Sequence, residues 1–145
     1  LVEIGGEVTV VGRAPGGEPW IIGIERPEEN VAWGTALHAV VHLTRGALAT
    51  SGSYRSFKGQ RGQKSHHIID PRTGMSSNSA LVSVTVYAAD CMTADGIATA
   101  LMVMGAEAGL QWLEVLPGVE ALFLEATPEG GFAQRLSPGF RRLVQ

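Results

Sequence analysis

A chain of 145 residues with 45% hydrophobic and 17% charged side chains has the composition of one globular domain, which excludes wholesale disorder. Eleven basic against fourteen acidic residues give a formal charge of −3, which argues against nucleic acid as a partner, and no apolar run is long enough for a membrane-spanning helix. The single cysteine, Cys91, excludes an internal disulfide and a cysteine-built zinc site, while nineteen glycines point to many tight turns.

The sequence opens on Leu1, with no basic segment leading into an apolar core, so no signal peptide is visible. Residues 1–10 read as strand, turn and strand; such a start in mid-sheet is expected of a chain whose earlier part lies elsewhere. Residues 7–12 alternate and predict a strand. Residues 13–19 hold two prolines and two glycines and predict a turn, after which 20–25 form a strand that closes a hairpin with 7–12. Residues 36–43 alternate His38, Val40 and His42 against Leu37, Ala39, Val41 and Leu43 as a third strand. Arg45-Gly46 turns it, and 47–50 is the fourth.

Residues 51–64 are polar and basic, with Arg55, Lys58, Arg61 and Lys64, and predict an exposed loop. Residues 67–70 are a short extended piece stopped by Pro71 and Gly74, and 81–89 are rich in β-branched residues and predict a strand. The period then changes. Ile97, Ala98, Leu101, Met102 and Met104 keep helical spacing, so 93–104 is a helix with Thr93 as N-cap and Gly105 as its stop. Residues 106–116 continue as a second helix that Pro117-Gly118 ends, and 119–126 with 132–136 form a closing hairpin. The fold class is α+β, a mostly antiparallel sheet with a helical pair inserted late, and no repeat or linker divides residues 1–145.

Three segments can carry chemistry, and each has a plainer reading. Ala49-Thr50-Ser51-Gly52-Ser53-Tyr54 can offer backbone N–H groups and hydroxyls to a phosphate, or be a polar turn. His66-His67-Ile68-Ile69-Asp70-Pro71-Arg72-Thr73-Gly74 supplies an imidazole suited to taking a proton from a hydroxyl, or a solvated histidine before a turn that Asp70 anchors. In Thr93-Ala94-Asp95-Gly96-Ile97-Ala98-Thr99, a helix puts Asp95 and Thr99 on one face. Their hard oxygens suit Mg²⁺ rather than zinc, with the rest of the shell from water, phosphate or other protein groups. The plainer reading is that Asp95 complements the helix N-terminus and Thr99 packs. His38 and His42 read as surface or interface residues, and Trp20, Trp33 and Trp112 as packing. Cys91, ahead of a helix N-cap, reads as a packed thiol.

Taken in order, Gly5-Gly6-Glu7-Val8, Ala49-Thr50-Ser51-Gly52-Ser53-Tyr54, His67-Ile68-Ile69-Asp70-Pro71-Arg72-Thr73-Gly74 and Thr93-Ala94-Asp95-Gly96-Ile97-Ala98-Thr99-Ala100 resemble the C-terminal half of the ApbE family. These are the FAD:protein FMN transferases, once described as thiamine biosynthesis lipoproteins. The resemblance runs from Leu1 to the neighbourhood of Phe140, and His-Ile-Ile-Asp-Pro-x-Thr-Gly is its most specific string. It implies a sheet-rich α+β core related to the T-fold. It implies Mg²⁺-dependent cleavage of the FAD pyrophosphate, release of AMP, and transfer of FMN to a threonine of an acceptor protein, a flavoprotein subunit.

Residue by residue, the resemblance assigns the metal to Asp95 and Thr99 with a backbone carbonyl from an earlier segment. It assigns the base to His67, with His66 one residue off the position. Flavin-nucleotide binding falls to Gly5, Gly6, Glu7, Thr50, Ser51, Gly52, His67 and Ile68. Two departures stand out. Ser53 occupies a position where many relatives carry Asp or Asn, and the family's Asp-Leu-Gly-x-x-Ala-Lys-Gly stretch, which supplies part of the flavin pocket and one metal ligand, does not occur in these residues. An upstream portion of the protein or a second copy is expected to complete the pocket. The resemblance also implies a membrane-anchored, extracytoplasmic (periplasmic) location. Two other activities stay open: hydrolysis of FAD to FMN and AMP, and a non-catalytic flavin-binding fragment or assembly module.

Overall fold

A computed structural model describes residues 1–28, 34–53, 67–77 and 79–144. Trp33, Tyr54, Arg55, Lys58, Arg61, Lys64 and His66 lie outside the described residues. In chain order the elements are β1 (Val2–Ile4), β2 (Glu7–Val11), β3 (Trp20–Glu25), β4 (Leu37–Leu43), β5 (Arg45–Gly52), β6 (Ile69–Asp70), β7 (Met75–Ser76) and β8 (Leu81–Ala88). Then follow α1 (Cys91–Met104), α2 (Ala106–Leu113), β9 (Glu120–Ala126), β10 (Phe132–Leu136) and a 3-10 turn at Phe140–Arg142.

Strands β1-β2-β5-β8-β9-β10 form one sheet in that order, antiparallel throughout. Alternation sorts its side chains to two sides. Ala49, Val84, Val86, Ala88 and Phe123 lie under Ala94, Ala98, Leu101 and Met102 of α1 and Leu113 of α2. Val8, Val10, Leu48, Leu122 and Leu124 face Ile24, Val41 and Leu43 of the β3–β4 pair, with Phe140 closing the layer. The result is three layers: helices, main sheet, small sheet. The fold is α+β with a mostly antiparallel sheet, as expected. No described helix is long and apolar enough to cross a membrane.

The expected hairpin between 7–12 and 20–25 does not form. β2 is flanked by β1 and β5, and β3 pairs with β4 instead, from Trp20↔Leu43 to Ile24↔Ala39. Burial decides this: stacking the β3–β4 pair on the sheet leaves Ile24, Val41 and Leu43 only 4%, 0% and 3% exposed, whereas pairing at an edge would leave them wet. Arg45-Gly46 is not a turn either, because both residues already pair with β2. Gly46 takes a φ of +95°, and a Cβ there would sit 2.5 Å from the Tyr87 ring, so glycine lets that ring close over the strand. Ser51 and Gly52, expected in a loop, extend β5 opposite Val84 and Ser83, and Ser53 is buried with its N–H donating to the Val82 carbonyl.

Helix α1 starts two residues earlier than expected, because Asp90 is the N-cap and Thr93 is not. The Asp90 carboxylate accepts from the Thr93 N–H and from the Thr93 hydroxyl, both at 2.9 Å. A carboxylate facing the positive helix end outcompetes a neutral hydroxyl for this role. Gly105 ends α1 as expected, with φ +84° and its N–H donating to the Leu101 carbonyl. α2 stops at Leu113, short of the expected Leu116.

Candidate functional site

Sheet register gathers distant segments at one end of β5. Pairing of Val8 with Leu48 sets the β1–β2 turn beside Thr50, Ser51 and Gly52, and Thr50↔Thr85 brings in β8. The turn is possible because Gly5 and Gly6 both take positive φ, +71° and +109°. A cleft of about 780 Å³ runs round this end of the sheet. Its apolar wall comes from Trp20, Ile22 and Leu37 of the small sheet and from Leu48. Gly5, Gly6 and Glu7 line it from the turn, and Thr50, Ser51, Gly52, His67, Asp95 and Thr99 line its polar part.

Thr50 and Ser51 are consecutive, so their side chains point to opposite faces of the sheet. The Ser51 hydroxyl lies 2.9 Å from the Thr99 hydroxyl on the helix side. The Thr50 hydroxyl lies 2.8 Å from the Thr85 hydroxyl on the other. Asp95 precedes Thr99 by one helical turn. Both are exposed, and Asp95 has no hydrogen-bond or ion-pair partner among the described residues. The plainer readings of this pair lose their footing. No acidic residue occupies the first turn of α1, since Asp90 already caps it, and an exposed Thr99 is not a packing residue.

His67 is exposed at the cleft. Its neighbour Ile68 does not line the cleft. The Ile68 side chain is 4% exposed within the core under the helices, and its carbonyl accepts the Ser77 N–H at 2.9 Å. The apolar Ile68 side chain follows the core and anchors the backbone that carries His67. Asp70 anchors the turn of the β6–β7 hairpin, as its plainer reading had it. Its carboxylate takes the Arg72 guanidinium at 2.8 Å and the Arg72 N–H at 2.9 Å. The guanidinium and then that N–H hold its carboxyl below the ordinary 3.8.

Glu3, Glu7, Glu25 and Asp95 all line the cleft, and no lysine or arginine does among the described residues. A pyrophosphate in this lining needs a cation beside it. No group of three His, Cys, Asp or Glu side chains gathers around one point among the described residues. Cys91 is half-buried with its Sγ 2.9 Å from the Thr9 hydroxyl, and His38 Nε2 meets Gln134 Oε1 at 3.0 Å; neither they nor His42 line the cleft. Trp112 packs against the core under the helices. Trp20 packs on the opposite core and also lines the cleft. Leu48, Ile22 and Thr85 escaped the reading of the sequence. Period-two alternation puts Leu48 on the face of Thr50, but the opposing wall follows from the stacking of β3–β4.

A model of the ApbE family matches residues 1–123. The chain belongs to the ApbE family. It is 41% identical over 141 residues to the FAD:protein FMN transferase of Vibrio cholerae, covering 97% of this chain and 41% of that protein. Against the FAD:protein FMN transferase of Haemophilus influenzae it is 37% identical over 145 residues, covering 100% of this chain and 41% of that one. The solved flavin transferase ApbE from Vibrio cholerae superposes with a TM-score of 0.77 at 40% identity, over 97% of this chain and 43% of that one. The ApbE protein from Thermotoga maritima does so with a TM-score of 0.76 at 34% identity, over 99% and 44%. This ApbE chain spans about two-fifths of the length of the curated relatives it matches.

Proposed function

We propose that this ApbE chain transfers FMN from FAD to a threonine hydroxyl of an acceptor protein and releases AMP. The observation that carries the reading is the meeting of Asp95, Thr99 and His67 in one cleft with an apolar wall. The relatives named as FAD:protein FMN transferases supply the substrate pair.

The donor set fits a hard divalent cation such as Mg²⁺. Asp95 offers a carboxylate with no other partner among the described residues, and Thr99 a hydroxyl on the same helix face. Asp95 and Thr99 would hold the ion. Ser51 would take the Thr99 proton in a hydrogen bond, which leaves a Thr99 lone pair for the cation. A bound Mg²⁺ neutralises the pyrophosphate and makes its phosphorus more electrophilic.

The chain's own residues do the rest. Trp20 and Ile22 from the small sheet and Leu48 from the main sheet offer apolar surface to a ring, and the Gly5-Gly6 turn keeps backbone close without side chains. His67 takes the proton of the acceptor threonine as its oxygen bonds to the phosphorus of the FMN half. The bond from that phosphorus to the AMP oxygen breaks, and AMP leaves.

The exposure of His67 also admits water as the acceptor, which would make free FMN. The two are separated by incubating the protein with FAD, Mg²⁺ and an acceptor protein and measuring AMP, free FMN and acceptor mass. Transfer gives AMP in step with an FMN adduct on threonine. AMP in step with free FMN, and an unchanged acceptor, overturns the proposal in favour of hydrolysis.

A further inference from the structure

Thr85 is 1% exposed in β8, and the only side-chain partner of its hydroxyl among the described residues is Thr50 Oγ1, 2.8 Å away on β5. Thr50 is exposed to the cleft. A hydroxyl has one proton to give and two lone pairs. Were Thr50 the donor, the proton of the 1% exposed Thr85 would have no protein acceptor among the described residues. A buried donor left unmade is costlier than an unused lone pair, so Thr85 donates. The Thr50 proton is then free for the cleft.

We infer that Thr85 is a positioning residue that fixes Thr50 as a hydrogen-bond donor toward a ring carbonyl or ring nitrogen of the bound flavin. Thr50 shares its sheet face with Leu48, against the wall of Trp20 and Ile22. That surrounding suits a flat heteroaromatic ring, whereas phosphate oxygens belong near Asp95 and Thr99. The inference rests on the flavin reading above.

The test is the affinity of the full chain for FMN and, separately, for AMP, in wild type, Thr85→Val, Thr85→Ser, Thr50→Val and the Thr85→Val/Thr50→Val double variant. Thr85→Val weakens FMN binding about tenfold. It leaves AMP binding unchanged, and Thr85→Ser restores the wild-type FMN value. Thr50→Val shows the same loss, and the double variant is no worse than either single one. Should Thr85→Val not fold by thermal melting, Thr85→Cys, which keeps the volume but donates weakly, shows the loss instead. FMN affinity unchanged in the folded Thr85 variant, an equal loss for AMP, or additive losses in the double variant overturns the inference while the flavin reading stands. A wild-type protein that carries the upstream portion of the pocket and binds no flavin overturns both.

Discussion

Ser51 and Thr99 stand 48 residues apart in the chain, and their hydroxyls meet at 2.9 Å where the end of β5 passes under α1. The contact ties the strand that ends at Gly52 to the helix face that carries Asp95. Under the proposed function it would also give the Thr99 proton somewhere to go when its lone pair faces a cation.

Ser51→Ala therefore raises the Mg²⁺ concentration needed for half-maximal turnover by about tenfold, the low end of what outer-shell partners contribute. Thr99→Val raises it further. Magnesium titration of FAD cleavage measures both, and a Ser51→Ala curve that overlays wild type would detach Ser51 from the cation.

Asp95→Ala removes the charged ligand and abolishes metal-dependent turnover. Stripping the protein with a chelator and restoring Mg²⁺ recovers activity in wild type and not in the variant. Recovery in both would take Asp95 out of the site.

His67→Ala slows threonine modification about 10²- to 10⁴-fold, the usual contribution of a positioned base. FAD affinity changes little. Single-turnover kinetics alongside equilibrium FAD titration separates the two. Equal losses in both would make His67 a binding residue.

Asp90 caps α1, and its carboxyl is held below the ordinary 3.8, first by the Thr93 N–H and then by the Thr93 hydroxyl. A depressed carboxyl contributes stability that is full above 3.8 and fades as pH falls through the folded value. Asp90→Ala thus lowers the melting temperature at neutral pH, and the gap from wild type narrows only as pH falls below 3.8. Melting curves from neutral to strongly acid buffer check the sign; a gap that widens in acid would contradict it.

Gly46→Ala forces a Cβ onto the Tyr87 ring in a backbone conformation that alanine resists. The expected loss is about 1–3 kcal/mol, read from urea denaturation midpoints. An unchanged midpoint would mean that the strand relaxes at no cost.

The sequence made local signals legible and long-range ones less so. The period of Ile97, Ala98, Leu101 and Met102 marks α1, and Gly105 marks its end, because both depend on neighbours within a turn or two. The partner of β3 does not follow from its own residues. Trp20–Glu25 reads as a hairpin mate for β2 until the burial of Ile24 against Val8 and Val10 is counted, and that requires three layers at once. Spacing puts Asp95 and Thr99 on one helix face and the family resemblance assigns them a metal, whereas Thr85 looks like any strand threonine until β5 is laid beside it. Ile68 shows the converse. It belongs to the most telling string in the chain, yet the core claims its side chain.

The most direct measurement is the intact mass of an acceptor protein after incubation with FAD and Mg²⁺ and either the protein carrying these residues together with the upstream portion expected to complete the pocket, or the Asp95→Ala variant of that protein. The account predicts one FMN added at a threonine, with equimolar AMP, for wild type, and an unmodified acceptor for the variant. An FMN adduct of equal yield with Asp95→Ala would contradict it.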